Sequence, residues 1–184
     1  MSHDLLVYGR RWTDDLPHQL ARVSGAMGVE VTLPPALSQT LQHHAGFLRA
    51  TVRIAPWAPL ALAERLTKHG QLEGGFDFYV EPLTATTGGP GLEDVPNDLA
   101  VRIHQATFCG IVTLSHEDSP AAAISAYFFA TALCRVSDGV LFDPEQGVHK
   151  DAERALREAD DFLVHRFELA RCTRANQPFR GTLQ

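Results

Sequence analysis

The stretch SPAAAISAYFFATALCRVSDGVLFDPEQG, residues 119–147, decides how the fold is interpreted. Ser119 and Pro120 are typical of a helix N-cap and of the first helical position. The residues that follow, as far as Val136, are apolar almost all round the predicted helix. A helix without a polar face has to be covered on every side, so we expect it to lie in the core of the domain.

The second half of this stretch predicts a turn and a short buried strand. Asp138 and Gly139 suit a helix-to-strand turn in which the glycine takes a positive φ. The strand Val140–Phe142 should end at Pro144, because proline has no amide hydrogen for a sheet ladder. Asp143 is then placed to cap the turn that follows. This structural interpretation of the acidic cluster competes with the functional ones given below.

Outward from this stretch, strand and helix patterns alternate along the chain. Further strands are predicted at Leu5–Gly9, Val29–Leu33, Phe47–Ala55, Phe76–Val80 and Val101–Leu114, the last bent or bulged at Gly110. Further helices are predicted at Asp15–Met27, Pro59–His69 and Lys150–Cys172. The order predicts an α+β fold with one mixed or mostly antiparallel sheet, built from strand-helix-strand units with covering helices. We expect a single domain over residues 1–184, a flexible loop at 84–98 and a loose C-terminal tail at 174–184.

Composition narrows the classes of function. The chain has 184 residues, of which 45% are hydrophobic and 21% charged, as in an ordinary globular protein. A formal net charge of −6 argues against non-specific nucleic-acid binding, which needs a basic surface. Three dispersed cysteines and the lack of a secretory signal pattern favour the cytoplasm. The longest apolar stretch, Ala121–Leu133, is too short to span a bilayer, so no membrane association is expected.

Motifs for catalysis are weak. The glycine-rich segment TTGGPG lacks the Lys-Ser/Thr ending of a phosphate loop, and no cofactor is expected. Cys109 and Cys134 have apolar neighbours, which favours inert thiols in the core. His149 follows Asp143 and Glu145 closely, so a small metal-dependent hydrolase using these three side chains is one open hypothesis. A homodimer that pairs an exposed sheet edge is another.

Two segments carry a resemblance to a known group of proteins. Gly139–Gly147, GVLFDPEQG, resembles a pattern gGvvfDPQ-x-G that recurs in small bacterial α+β proteins encoded beside polymorphic toxins, with Glu145 inserted before the glutamine. Gly74–Leu83, GGFDFYVEPL, is similar to the strand sGFelyvepl of such immunity-type proteins. The resemblance covers about a third of the chain, mostly residues 74–83 and 119–147.

This resemblance implies a protein without enzymatic activity. Immunity proteins bind a cognate toxin in competition between bacteria and block its active site or entry path. The acidic balance of this chain would suit a basic toxin cleft. The expected partner-binding residues are exposed acids and aromatics near loops: Asp77, Glu81, Glu93, Asp94, Asp143, Glu145 and Trp57.

Overall fold

Seven strands form one antiparallel sheet. The computed structural model describes residues 3–12, 15–26, 29–32, 46–52, 73–83, 95–114 and 120–158. The strands are β1 His3–Gly9, β2 Val29–Thr32, β3 Gly46–Val52, β4 Glu73–Pro82, β5 Phe108–Leu114, β6 Val140–Asp143 and β7 Val148–Lys150. Their order across the sheet is β2-β3-β4-β5-β1-β6-β7, and every neighbouring pair is antiparallel.

Helices cover both faces of this sheet. They are α1 Leu16–Ala26, α2 Asn97–His104, α3 Pro120–Val136 and the helical residues 152–158, here α4. The predicted α+β class is confirmed. Because β4 and β5 pair with each other although residues 83–107 separate them in sequence, both halves of the chain contribute to the same sheet of a single domain.

The main core lies between α3 and one face of the sheet. Residues 121–134 of α3 are all buried, as the absence of a polar face predicts. The ring of Phe129 lies 5.0 Å from the rings of both Phe76 and Phe78 on β4. Helix α1 packs against α3 from the outer side through Leu20 and Val23. The apolar helix is therefore enclosed by the sheet on one side and by α1 on the other.

Two glycines allow α3 to approach the sheet closely. A Cβ at Gly74 would lie 2.5 Å from the backbone nitrogen of Ala122, in the first turn of α3. A Cβ at Gly110 would lie 2.7 Å from Cδ2 of Leu133, near the other end of the helix. Any side chain at either position would push the helix away from the strands.

A smaller core lies on the opposite face, under α2. It is formed by seven buried side chains: Leu6, Tyr8, Leu99, Ile103, Cys109, Val140 and Phe142. Leu99 and Ile103 are four residues apart and so lie on the same side of α2. This short helix covers the part of the sheet around β1 and β6.

The structure around α2 differs from the predicted one. The sequence predicted one strand over Val101–Leu114, whereas residues 97–104 are helical and only Phe108–Leu114 is a strand. The alternation of Val101 and Ile103 was misleading, because Ile103 is buried together with Leu99 at helical spacing. No bulge occurs at Gly110 either, since its pairing with Val7 and Val80 continues the register on both sides.

The turn between α3 and β6 also differs in detail. Asp138, not Gly139, takes the positive φ, at 51°. Its carboxylate accepts hydrogen bonds from Arg10, at 2.6 Å, and from Arg102, at 2.9 Å. Gly139 is needed for a different reason, because a Cβ there would lie 2.6 Å from the carbonyl oxygen of Tyr8.

The remaining predicted strands and helices agree with the structure in most places where it describes them. Lys150 was predicted to begin the last helix but lies in β7, a strand that the sequence did not predict. The other predicted strands correspond to β1, β2, β3, β4 and β6, and three predicted helices correspond to α1, α3 and, over the described residues 152–158, α4. The predicted helix Pro59–His69, residues 84–94 of the predicted loop 84–98 and the tail 174–184 lie outside the described residues. The end of that predicted loop is corrected, because Asn97 and Asp98 belong to α2.

Candidate functional site

One region of the sheet has no described helix over it and carries acidic and aromatic side chains. Successive residues of a strand point to opposite faces. In β4, Phe76 and Phe78 point into the main core, whereas Asp77, Tyr79 and Glu81 lie on the other face and are partly or well exposed. Together with their neighbours on the adjacent strands they form the open face, defined here as Asp4, Phe47, Arg49, Asp77, Tyr79, Glu81, Ile111 and Thr113.

The strand register aligns four of these residues in a row across the sheet. Phe47 on β3 pairs with Asp77 on β4, Asp77 pairs with Thr113 on β5, and Thr113 pairs with Asp4 on β1. Directly opposite residues have Cβ atoms about 4.5–5.5 Å apart. The row therefore has an aromatic ring at one end and a hydroxyl between two carboxylates.

Phe47 is the most exposed large apolar side chain on this face. Its side chain is 61% exposed and lies near the start of β3, the strand next to the β2 edge of the sheet. The ring lies against Gly75, where a Cβ would collide with it. A fixed, exposed aromatic side chain of this kind is typical of residues that anchor a protein–protein interface.

The open face has an excess of negative charge. Asp4, Asp77 and Glu81 share it with a single cation, Arg49. Within the described ranges, none of these four groups forms an ion pair with another residue. Oδ1 of Asp4 is buried and has no hydrogen-bond partner among the residues that the structure describes. The face is therefore electrostatically suited to a positively charged group from outside.

The structure separates the predicted partner-binding residues. Asp77 and Glu81 lie together on the open face, four residues apart on β4. Glu145 is 50% exposed but lies in the turn between β6 and β7. Trp57, Glu93 and Asp94 lie outside the described residues.

Asp143 is a turn-forming residue and does not reach the surface. Its side chain is fully buried, and its Oδ1 accepts hydrogen bonds from the backbone N–H groups of Glu145, at 3.1 Å, and Gln146, at 3.3 Å. This is an Asx turn, as the structural interpretation of the sequence predicted. A fully buried side chain cannot contact a partner directly, so the expectation that Asp143 is a contact residue is corrected.

The histidine that meets the two acids is His3 and not His149. His3 is 1% exposed; its Nδ1 contacts Oε2 of Glu145, and its Nε2 lies 3.7 Å from Oδ1 of Asp143. Nothing in the local spacing of the sequence indicates this, because β1 comes beside β6 only through the topology of the sheet. No group of three or more His, Cys, Asp or Glu side chains within the described part of the chain is arranged to hold a metal ion.

His149 lies on the opposite face of the sheet from Asp143. It pairs with Phe142 across β6 and β7, whereas Asp143 pairs with Val148. Its ring stacks on that of Phe142 with centroids 4.2 Å apart and an angle of 13° between the planes. Burial lowers the pKa of His149 below its ordinary value. The cluster on which the hydrolase hypothesis depended, His149 with Asp143 and Glu145, is therefore not formed.

A buried lysine also contacts the turn between β6 and β7. Lys150 is 1% exposed, donates a hydrogen bond to Oε1 of Gln146 at 2.9 Å and lies 3.4 Å from Oε2 of Glu158. Partial burial acts to raise the pKa of Glu158, but hydrogen bonds and charges from Arg154 and Lys150 lower it overall. The Lys150 ammonium is also 5.9 Å from the ring centroid of Tyr127. These contacts hold β7, α4 and α3 together, which indicates a structural role.

The two described cysteines are in environments that suppress reactivity. Burial raises the pKa of Cys109, with a further contribution from the charge of Glu81, to about 12. Burial likewise raises the pKa of Cys134 to about 12. Thiolate is the reactive form, so neither side chain is suited to nucleophilic catalysis near neutral pH. Cys172 lies outside the described residues.

Comparisons of the chain with protein-family models, with curated proteins and with solved structures gave no match. Among the described helices, none combines the length and the apolar character that a bilayer crossing requires.

Proposed function

We propose that this chain is an immunity-type binding protein that neutralises a cognate toxin by covering its active site with the open face. The observation that carries the proposal is Phe47, an aromatic side chain that is 61% exposed and directly paired with Asp77. An exposed aromatic anchor surrounded by charged groups is the usual composition of an interface centre and its rim. The resemblance in Gly74–Leu83 supports it, because Asp77 and Glu81 belong to that segment.

Electrostatics supports a basic partner. The acids Asp4, Asp77 and Glu81 outnumber the one cation of the open face, and the whole chain has a formal net charge of −6. A basic toxin cleft would be attracted at long range and would associate faster at low ionic strength. In such a complex the exposed apolar area supplies affinity, while the acids select the partner and its orientation.

The same charges disfavour a homodimer through this face. A two-fold contact would bring the open face against a copy of itself, and each acidic row would then meet another acidic row. Like charges across an interface weaken association. The proposal therefore has the open face acting on a different protein, in the cytoplasm of the cell that must be protected.

A genetic test comes first. The chain is co-expressed with the product of the neighbouring gene, and growth and complex formation on a sizing column are recorded. We expect that the neighbour alone stops growth and that this chain restores it in a stable complex. If the neighbour is toxic, and this chain neither rescues growth nor binds it, the proposed function is wrong for that partner.

A pair of matched variants then locates the interface. Phe47 and Val101 are the two exposed large apolar side chains among the described residues, at 61% and 56% exposure. Phe47→Ser should weaken the complex by at least about tenfold, the effect of losing an interface anchor. Val101→Ser, which removes a similar exposed group from α2, should change the affinity by less than about twofold. Equal effects of the two variants, measured by calorimetry, would exclude the open face as the interface centre.

A further inference from the structure

We propose that four arginines at one end of the sheet bind a carboxylate-rich segment of a protein partner. They are Arg10, Arg11, Arg102 and Arg135, and together they are called the arginine end. They lie where β1, α2 and α3 end, and they fit a ligand group of the opposite charge to the one that the open face fits. The arginine end is therefore a second interaction surface and does not rest on the proposed function.

Two of the four guanidinium groups already surround a carboxylate. Nη1 of Arg10 donates to Oδ2 of Asp138 at 2.6 Å, and Nη2 of Arg102 donates to Oδ1 at 2.9 Å. The two arginine side chains are only 30% and 27% exposed, so part of each is packed against the protein. A guanidinium has five N–H donors, and Asp138 is the only ion-pair partner of either arginine within the described residues. Donors therefore remain for a carboxylate from outside.

The position of Asp138 shows how firmly these two arginines are held. The N–H of Gly139 donates to the carbonyl oxygen of Cys134 at 2.8 Å, and the N–H of Asp138 donates to that of Arg135 at 3.4 Å, which is the Schellman pattern at the end of α3. Asp138 takes the place where glycine is usual, with φ at 51°, and its carboxylate lies at the negative end of the helix dipole. Its hydrogen bonds to the arginines offset both disadvantages. The guanidinium groups are thus pre-organised, which lowers the entropy cost of binding a ligand.

The charge at this end of the sheet is unbalanced. Arg11 and Arg135 are exposed and form no ion pair in the part of the chain that the structure describes. Four positive charges therefore share the single negative charge of Asp138, a local excess of three in a chain with a net charge of −6. The C-terminal ends of α2 and α3 offset at most about half a charge each. The arginine end stays positive and attracts an acidic ligand.

The chemistry of the contact favours carboxylates on an extended segment. The planar guanidinium fork matches a carboxylate, and Asp138 already occupies one side of two such forks. Glu81 on β4 and Asp98 on α2 are acids of neighbouring elements, but neither forms an ion pair with the arginine end within the described ranges. Since the arginines come from three separate elements, a segment with several acids can contact more of them than one small anion can.

The test uses short peptides as probes. Acetylated and amidated Gly-Glu-Gly-Glu-Gly is titrated into the ¹⁵N-labelled protein, with parallel titrations of Gly-Gln-Gly-Gln-Gly and of inorganic phosphate. We expect the glutamate peptide to shift the backbone amide signals of Arg11, Arg102 and Asp138 and to saturate in the millimolar range, as a few charge-assisted contacts allow. The glutamine peptide should cause no shift. Raising NaCl from about 20 to about 200 mM should weaken the binding several-fold through screening.

Variants connect the shifts to the arginines. Arg11→Gln and Arg102→Gln should each weaken binding of the glutamate peptide at least about threefold, the effect of losing one charged contact. Arg11 is exposed and unpaired within the described residues, so its variant should fold even if Arg102→Gln does not. Arg157→Gln removes the same charge from a side chain that is 70% exposed on α4, and it should leave the titration unchanged. Shifts that are equal for the glutamine peptide, or an affinity that Arg11→Gln and Arg102→Gln leave unchanged, would overturn the proposal.

The phosphate titration separates a segment from a small anion. If phosphate causes the same shifts at lower concentration than the glutamate peptide, the arginine end is a small-anion site and the proposed acidic segment is wrong. The proposed function is tested separately. If the toxin complex forms and the glutamate peptide does not bind, only the arginine end is wrong; if the peptide binds and the toxin does not, only the proposed function fails.

Discussion

Replacing Asp143 by alanine should destabilise the fold, because this carboxylate organises the turn between β6 and β7. Its Oδ1 accepts two backbone hydrogen bonds, at 3.1 Å from Glu145 and 3.3 Å from Gln146, and lies 3.7 Å from Nε2 of His3. Hydrogen bonds to a charged group contribute about 1.5–3 kcal/mol each, and these two are long, which places them at or below the lower end. Water can replace part of what is lost, because Glu145 and Gln146 are exposed.

The expected loss is therefore about 2–3 kcal/mol of the free energy of unfolding, including the contact to His3. For a domain of this size, that corresponds to a decrease in Tm of about 4–12 °C. Urea titrations followed by circular dichroism, near neutral pH, measure the change directly. Asp143→Asn keeps one acceptor oxygen in place, so it should lose less than half as much as Asp143→Ala.

The matched control is Glu153→Ala, which removes a carboxylate that is 82% exposed. It should change the free energy of unfolding by less than about 0.5 kcal/mol, as is usual for a surface position. If Asp143→Ala is as mild as this control, the turn does not depend on Asp143, and the assignment of a structural role to this residue is wrong.

Three other predictions concern protonation, reactivity and packing. Burial lowers the pKa of His149, so on acidification the unfolded chain binds a proton before the folded protein does. The contribution of neutral His149 to the free energy of unfolding should be fully present above about pH 6.5 and should decrease as the pH falls towards the folded-state pKa. His149→Phe should flatten that dependence in urea titrations at a series of pH values, and an unchanged slope would contradict it. Cys109 and Cys134, with pKa values of about 12, should react with a thiol reagent at least about a hundredfold more slowly in the native protein than in denaturant, as peptide mapping would show; fast native labelling would disprove their burial. Gly74→Ala should destabilise by about 1–3 kcal/mol through contact with α3. Gly46→Ala measures backbone strain without contact, because φ is 66° there and no atom lies near the added methyl; it should destabilise by about 1 kcal/mol. Equal melting temperatures of Gly74→Ala and the parent would refute the close approach.

Local patterns predicted most of the elements of this fold. The alternation in Phe47–Ala55 predicted a strand, and in the structure Leu48 is in the core whereas Phe47 is exposed on the other face. The apolar character of α3 correctly predicted a helix buried on all sides. These predictions succeeded because burial on one or both faces constrains the sequence at short range.

Short elements with mixed patterns were not predictable in the same way. Strand β7 has three residues, Val148–Lys150, and its buried lysine carries no local sign of burial. Helix α2 has eight residues, and the alternation of Val101 and Ile103 imitates a strand. In both cases tertiary contacts decide the structure. Lys150 is held by its contacts with Glu158 and Tyr127, and α2 is held by the smaller core.

The candidate site was predicted only in part. Asp77 and Glu81 were both predicted as partner-binding residues, but the predicted strand Phe76–Val80 ended before Glu81; β4 extends to Pro82 and so places both on a common face. That Phe47 and Asp4 belong to the same row depends on the order of the strands across the sheet, which local patterns do not contain. For the same reason, the sequence paired the acids of the β6–β7 turn with His149, whereas the topology brings His3 to them.

The position of β1 has a consequence for how the protein is made. It is the first of the described elements, yet it lies in the interior of the sheet, and its two neighbours are β5 and β6. During synthesis its backbone donors and acceptors have no sheet partner until residues 108–114, and then 140–142, have left the ribosome. The sheet can therefore close on both sides of β1 only after residues 140–142 have been synthesised. Until then backbone groups of the apolar strand that begins at His3 are unpaired, and the strand is exposed to pairing with the wrong edge.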